Sequence, residues 1–386
     1  MPKIVEISSN FPCEVFINRH IASLYQHNYP VELLARQASK SDLESASVQE
    51  KLDFRHSIRF FPGYGHLSLS DVFTIVRQLF NTKNYPYSKS MLRDKVYLEF
   101  IRRLNPDLIH FHFGTLAGSM CWIAQELGIP YTLSLRGTDI QVRPLTSDKK
   151  RDQLQNALNH AAGVHTVCDS LWTLAKAYLN HEVFHKTIYT TVPITGRLPK
   201  RNDDELSFIT VGRFHWRKNY VDLLKAFRRF LDTGVNANLV LIGDGPEKES
   251  LVYWISLLGL QNNITMTGKL NHDSLSEILT HSTAYIQSSI AEGFSNATAE
   301  AMALGVPVFA TDVGGTKEII RDGNNGFLLD PLQPDGWYEK MLIVKNVQKM
   351  ENVRFNAWQT AKEHFSENIH ASSFIDFYEH ALHNRR

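Results

Sequence analysis

Short apolar runs alternate with longer amphipathic stretches along this chain, and they fall into two series. The first holds KIVEIS near the start, LIHFHF (108–113), YTLSL (131–135) and GVHTV (163–167). The second holds SFITVG (207–212), ANLVLIG (237–243), NITMTG (263–268), AYIQSS (284–289) and VPVFAT (306–311). All read as strands. Between them, 220–231 and 247–258 repeat apolar residues at intervals near 3.6 and read as helices. Strands alternating with helices predict α/β architecture: parallel, doubly wound sheets built from right-handed crossovers. The polar interval 191–205 carries two prolines and predicts the junction between two domains, 1–195 and 206–364. The last stretch, 365–382, reads as an amphipathic helix. Open parallel sheets bind ligands beyond the carboxyl ends of their strands, so two such domains predict a ligand held by strand-end loops across a cleft.

Length and composition agree with this division. A chain of 386 residues exceeds one ordinary core and suits two domains. A formal charge of +1 gives no reason to expect nucleic acid as a partner. The first 200 residues hold 23 Lys/Arg against 17 Asp/Glu, or +6, which leaves −5 for the remainder. Three scattered cysteines form neither a disulfide framework nor a CxxC metal site and predict a reducing compartment. MPKIVEISSNF reads as a first strand rather than a signal peptide. No run approaches the ~18 apolar residues of a membrane span, so a cytoplasmic location is expected.

The stretch SSIAEGFSNATAEAMALGVPVFATDVGG (288–315) carries two glutamates, Glu292 and Glu300, with no Lys or Arg before Lys317. AEGFSN follows a strand and leads into a helix that Ser295 or Asn296 can cap and Gly305 can end. Amides at such a start are unpaired and favour an anion. Both glutamates read as carboxylates without cationic partners. TVGRFHWRKN places Arg213 at another strand end and Lys218 five residues later, a plausible diphosphate clamp of fork and point charge. The glycine clusters LIGDGP (241–246) and DVGG (312–315) fit either close approach to a ligand or plain turns.

In order and spacing, Arg213/Lys218, GDGP, TGKL, EGFSNATAE and NGFLLDP resemble the C-terminal half of family-4 retaining glycosyltransferases (glycosyl transferases group 1), which have the GT-B fold. The resemblance runs from about Phe208 to Pro331 and continues more weakly through FPCEVFINRHIASL, IHFHFG, IPYTLSLRGTDI and HTVCDSL. It implies two Rossmann-like domains, with the last helix (365–386) packing back on the first. It further implies that Arg213 and Lys218 hold the diphosphate of a nucleotide-sugar donor, that Glu292 binds the sugar, and that Glu300 binds the ribose. Main-chain amides around Phe294, Ser295, Asn296 and Ala297 would assist at the sugar, and Gly268 to Leu270 would lie against the base. Arg213, Lys218 and Glu292 are the catalytic candidates. The anomeric configuration would be retained, with UDP the favoured nucleotide and GDP open. The nucleotide-sugar is a co-substrate, and no cofactor is expected.

No two aspartates stand two apart, so the DxD motif of metal-dependent relatives is missing and no catalytic metal is expected. His110 and His112 share one strand face, without an acidic or Cys partner near them in sequence. His110 reads as structural, and His112, at a strand end, reads as an acceptor contact. Two features depart from the commoner pattern. SSNFPCEVF replaces a glycine-rich loop while keeping Glu14, and Arg136 stands where many relatives carry His. An Arg does not exchange protons near neutral pH, so contact with an anionic group of the acceptor is the reading for Arg136. The acceptor would be a glycan, a lipid-linked glycan or a small molecule. The basic, aromatic segment 73–103 (Arg77, Lys83 and Lys89 among Phe73, Phe80, Tyr85 and Tyr87) reads either as solvated helix faces over core aromatics or as a peripheral contact with anionic lipid. Two other functions stay open: an epimerase on the same fold, and a catalytically silent binding subunit.

Overall fold

The computed structural model describes residues 1–9, 13–35, 58–61, 89–198 and 206–383. The chain divides into two compact units. The first comprises Met1–Thr166, Leu174–Lys186 and Ala371–Arg386, and the second Val167–Thr173 and Thr187–His370. The expected junction at 191–205 thus lies within the second unit, and residues 199–205 of it lie outside the described residues.

The first sheet contains β1 (Ile4–Ile7), β2 (Val31–Ala35), β3 (Ile58–Phe60), β4 (Leu108–Phe111), β5 (Tyr131–Leu135), β6 (Gly163–Thr166) and β7 (His185–Thr187), in the order β3-β2-β1-β4-β5-β6-β7. From β3 to β6 the pairings are parallel. Helices cover both faces, so β1, β4 and β5 are buried along their whole length. This explains why they appear in the sequence as mostly apolar runs rather than alternating ones. The winding direction reverses between β1 and β4, whose register sets Glu6 beside His110.

The second sheet contains β8 (Leu206–Val211), β9 (Ala237–Ile242), β10 (Ile264–Gly268), β11 (Ala284–Gln287), β12 (Val308–Thr311) and β13 (Phe327–Leu329), in the order β10-β9-β8-β11-β12-β13. Its pairings are all parallel. The reversal falls between β8 and β11, and reversals of this kind open a crevice at the carboxyl ends of the two strands. The helix Tyr220–Asp232 buries Tyr220, Leu223, Leu224, Phe227 and Phe230 on one stripe. Phe208 of β8 meets Phe227 and Phe230 edge-on at 6.0 and 5.3 Å. That packing anchors β8 against the helix.

The last helix, Glu367–His383, belongs to the first unit from Ala371 onward. Ala371, Phe374, Tyr378 and Ala381, spaced by three and four, are fully buried. In the basic segment, Phe73, Arg77, Phe80, Lys83, Tyr85 and Tyr87 lie outside the described residues. In the helix Lys89–Leu104, Arg93 pairs with Asp94, and Arg102 and Arg103 pair with Glu99. Tyr97 packs on Phe61 at 4.1 Å, so this described part is a solvated face over a core contact. No described helix is long and apolar enough to cross a membrane.

Candidate functional site

In the second unit the strand-end loops are laced together by backbone. Gly212 N donates to Ile242 O at 3.0 Å, and Gly243 N donates to Gly268 O at 2.9 Å. Gly243 has φ +147°, and a Cβ there would lie 1.9 Å from Gly212 O, so only glycine allows these loops to touch. Beyond them opens a pocket of about 520 Å³ lined by Arg213, Gly243, Asp244, Lys269 and Leu270 among others. Arg213 is exposed at its edge, and Gly268, with φ +76°, turns the chain toward Leu270.

The loop after β11 is fastened to the loop after β8. Ile290 N donates to Arg217 O at 2.8 Å, and Ser288 Oγ donates to Lys218 O at 2.7 Å. As a result Lys218 Nζ donates to Glu292 Oε2 at 2.6 Å, with both side chains largely buried. The expectation of a Glu292 without a cationic partner is therefore corrected. Its partner lies 74 residues earlier and becomes adjacent only because β8 and β11 are neighbours in the sheet. Gly314, at φ +57°, packs against this loop, and a Cβ on it would meet Glu292 O at 2.0 Å. Gly315 N donates to Gly293 O at 2.8 Å. Close approach at DVGG is thus made to the glutamate loop itself. Gly314→Ala should displace that loop and lower the activity that depends on Glu292 by about 10²-fold, by analogy with the cost of ångström-scale misplacement. Wild-type turnover in this variant would mean that the loop position is not critical.

Ser295 caps the helix Asn296–Ala303, its side chain accepting from Thr298 N at 3.3 Å. Thr298 Oγ1 donates to Gln287 at 2.6 Å and pins the first turn to β11. Phe294 packs against Tyr189 and Phe365, which leaves its amide and those of Asn296 and Ala297 at the helix entrance. Glu300 is half-buried one turn further on.

The first unit carries a second polar cluster, at the β1/β4 reversal. Glu6, fully buried, accepts from Tyr378 Oη at 2.8 Å and contacts His20 Nε2 at 2.9 Å through Oε1. Its Oε2 meets His112 Nε2 at 2.8 Å. The expectation that His112 has no acidic neighbour is corrected, because the strand pairing supplies one. Burial alone would raise the Glu6 carboxyl, but the charge of His20 and the hydrogen bond with His112 outweigh it and hold Glu6 well below the usual range. Burial pushes His112 down to about 4. Its ring faces this interior cluster and is fully buried, so it offers no surface to an acceptor, contrary to expectation. His110 is structural: its two nitrogens bond Thr132 Oγ1 at 2.8 Å and Ser134 Oγ at 2.9 Å. Glu6, His20 and His112 could hold an ion by ligand type. Both carboxylate oxygens are engaged at hydrogen-bond distance with these imidazoles and Tyr378, and His112 Nδ1 is buried without a hydrogen-bond partner among the described residues.

Arg136 follows β5. Asp139 accepts from the amides of Gly114 (3.0 Å), Arg136 (3.1 Å) and Gly137 (2.8 Å), fixing the turn. The Arg136 Nε donates to His112 O at 3.1 Å, and the guanidinium lies over the Phe16 ring at 4.3 Å. Among the described residues, its two terminal nitrogens make no hydrogen bond, so a rigid, half-buried fork is left open. Burial lowers its pKa to about 10, against the opposing charges of Asp139 and Glu14, and it remains a cation at neutral pH. Glu14 is exposed at the start of the helix Val15–Gln26. Sequence reasoning missed Glu6, His20, Asp139 and Tyr378. Glu6 alone left a signal, as a charged residue inside an apolar strand.

Two family models match, glycosyl transferases group 1 over residues 197–357 and a glycosyl transferase 4-like domain over 13–179. N-acetyl-alpha-D-glucosaminyl L-malate synthase of Bacillus anthracis is 26% identical over 310 residues, covering 76% of this chain and 79% of the relative. The 2-deoxystreptamine N-acetyl-D-glucosaminyltransferase of Niallia circulans is 23% identical over 60% of this chain, and the match spans only 57% of that relative's length. Among solved structures, HepE of Anabaena in complex with UDP superposes with a TM-score of 0.75 at 17% identity, covering 98% of this chain and 100% of that one. The two matched regions take in β2 to β6 of the first sheet, the whole second sheet and the loops that carry Arg136, Arg213, Lys218 and Glu292, and the chain belongs to the GT-B-fold glycosyltransferases related to glycosyl transferases group 1.

Proposed function

We propose that this chain transfers a sugar from a UDP-sugar to a hydroxyl of an acidic acceptor, with retention at the anomeric carbon and without a catalytic metal. The observation that carries this reading is the Lys218–Glu292 pair at the β8/β11 reversal, beside a pocket edged by Arg213. In this mechanism Arg213 and Lys218 take the charge that develops on the departing diphosphate, and Glu292 accepts hydrogen bonds from the sugar hydroxyls. The entrance amides of the helix Asn296–Ala303 add donors, and Glu300 accepts from the ribose. The acceptor hydroxyl attacks from the face that the diphosphate leaves, and its proton passes to the leaving phosphate oxygen. No enzymic nucleophile is needed. Retention and metal independence rest on the family resemblance. The choice of UDP follows the HepE complexes, which hold UDP or UDP-glucose.

Arg136 supports the acidic acceptor. Its open fork suits a carboxylate or phosphate and cannot shuttle a proton. The Bacillus anthracis relative is named as a synthase of N-acetyl-alpha-D-glucosaminyl L-malate, a sugar joined to a carboxylic acid. Calorimetric titration with UDP and GDP tests the donor side. UDP should bind the wild type, and Arg213→Ala should bind it about tenfold or more weakly, as expected for a lost charge-assisted contact. Failure of both nucleotides to bind, or an unchanged affinity in Arg213→Ala, would overturn the assignment.

A further inference from the structure

We propose that the first unit carries a second anion subsite, built from Arg143 and Lys150, which receives a phosphate or carboxylate of the acceptor. It deepens the acidic-acceptor reading and rests on it: the acceptor then bears two acidic groups, one for Arg136 and one for this pocket.

A pocket of about 240 Å³ opens between the helices Gly114–Leu127 and Asp148–Asn159. Arg143 and Lys150 line it together with Thr115, Gln153 and Asp139. The only carboxylate in this lining is Asp139, whose oxygens are committed to the amides of Gly114, Arg136 and Gly137. The nearest other acid in sequence, Asp148, pairs with Arg151 at 2.7 Å. Among the described residues neither Arg143 nor Lys150 pairs with a carboxylate, and the Lys150 ammonium donates only to Thr146 Oγ1 at 3.0 Å. Two cations therefore share one concave opening without a counter-ion. Isolated surface cations are ordinarily solvated and idle. These two differ because a hydroxyl and a carboxamide stand with them in a concave wall, giving an oxyanion both charge and directed donors. Asp139 also ties the pocket to the site already described, since the carboxylate that forms part of its wall holds the Arg136 amide. The pocket is too small for a whole nucleotide-sugar and suits a single acidic group with its neighbouring atoms.

The test uses the full chain with UDP saturating, so that the donor pocket does not take up the probe. Inorganic phosphate and succinate are titrated separately into the wild type, Arg143→Ala/Lys150→Ala and Arg136→Ala, with melting temperature and UDP affinity recorded for each. Both residues of the double variant are exposed, so its fold should be retained. At least one probe should bind the wild type, and the double variant should bind it about tenfold or more weakly, a loss of one decade in affinity. Arg136→Ala should keep most of that binding. Preference for phosphate or for succinate then identifies the acidic group. Binding of neither probe, or equal binding by the double variant, overturns the subsite. If the subsite fails while UDP binding and sugar transfer persist, the proposed function stands alone. If UDP does not bind, that function fails, and the anion titration still reports on the pocket.

Discussion

Glu292→Ala is expected to lower sugar transfer by about 10²–10³-fold, the scale seen when one preorganised electrostatic contact to a transition state is removed. The side chain is held for such a task. Lys218 meets it at 2.6 Å, Ser289 Oγ donates to it at 3.4 Å, and its backbone rests against Gly314. The ion pair makes the expectation sharper than loss of activity alone. In the absence of donor, Glu292 neutralises Lys218; in Glu292→Ala the ammonium is released toward the diphosphate. UDP affinity should therefore hold or tighten as turnover collapses, and Lys218→Ala should weaken both. Groups in direct contact couple, so the double variant should fall short of the summed single losses. Titration with UDP and steady-state rates check each arm. Transfer at the wild-type rate in Glu292→Ala would overturn the site, and a parallel loss of UDP binding would place Glu292 on the nucleotide instead.

The second large effect falls on stability. Glu6→Ala should destabilise the protein by about 3–5 kcal/mol, because it strands His20, His112 and Tyr378 without their shared acceptor in a fully buried place. Chemical denaturation reads this directly. The cluster also predicts an acid limit. His112 titrates near 4 in the folded chain against an ordinary 6.5, so the unfolded state binds more protons between those values. Stability should then decline as pH falls from about 6.5 toward 4, by roughly 3 kcal/mol for a shift of that size. Glu6, depressed below 4.5, adds a further loss as pH falls through its folded value. Glu6→Ala removes the carboxylate that partly offsets the burial of His112, so it should abolish the loss due to Glu6 itself while keeping or steepening the decline that His112 causes. A variant as stable as the wild type at pH 7 would show that the cluster does not support the fold.

Much of the fold could be read from the sequence because parallel strands covered on both faces leave largely apolar runs, as in β11 and β12. Arg213 was legible as a residue just beyond a strand's carboxyl end, and it edges a pocket there. What stayed hidden depends on sheet order, which differs from chain order. Lys218 meets Glu292, and Glu6 meets His112, only because β8 neighbours β11 and β1 neighbours β4. The glycines at 243 and 314 fitted either close approach to a ligand or plain turns, and their close contacts are to neighbouring backbone, so they shape the site from behind. The free fork of Arg136 is legible only in three dimensions, since Phe16, His112 and Asp139 fix it from three separate elements.

Tyr378 lies 372 positions after the Glu6 that its hydroxyl meets. A ribosome adding about 5–20 residues per second needs roughly 20 to 70 s to span that interval. Throughout it, the nascent first sheet holds a carboxylate and two imidazoles that must stay hydrated, and an apolar face that lacks Phe374 and Phe377. The unit begun first during synthesis is thus the one finished last, after the whole of its successor has emerged. Emergence of the helix Glu367–His383, rather than the appearance of the first sheet, is the event that closes its core.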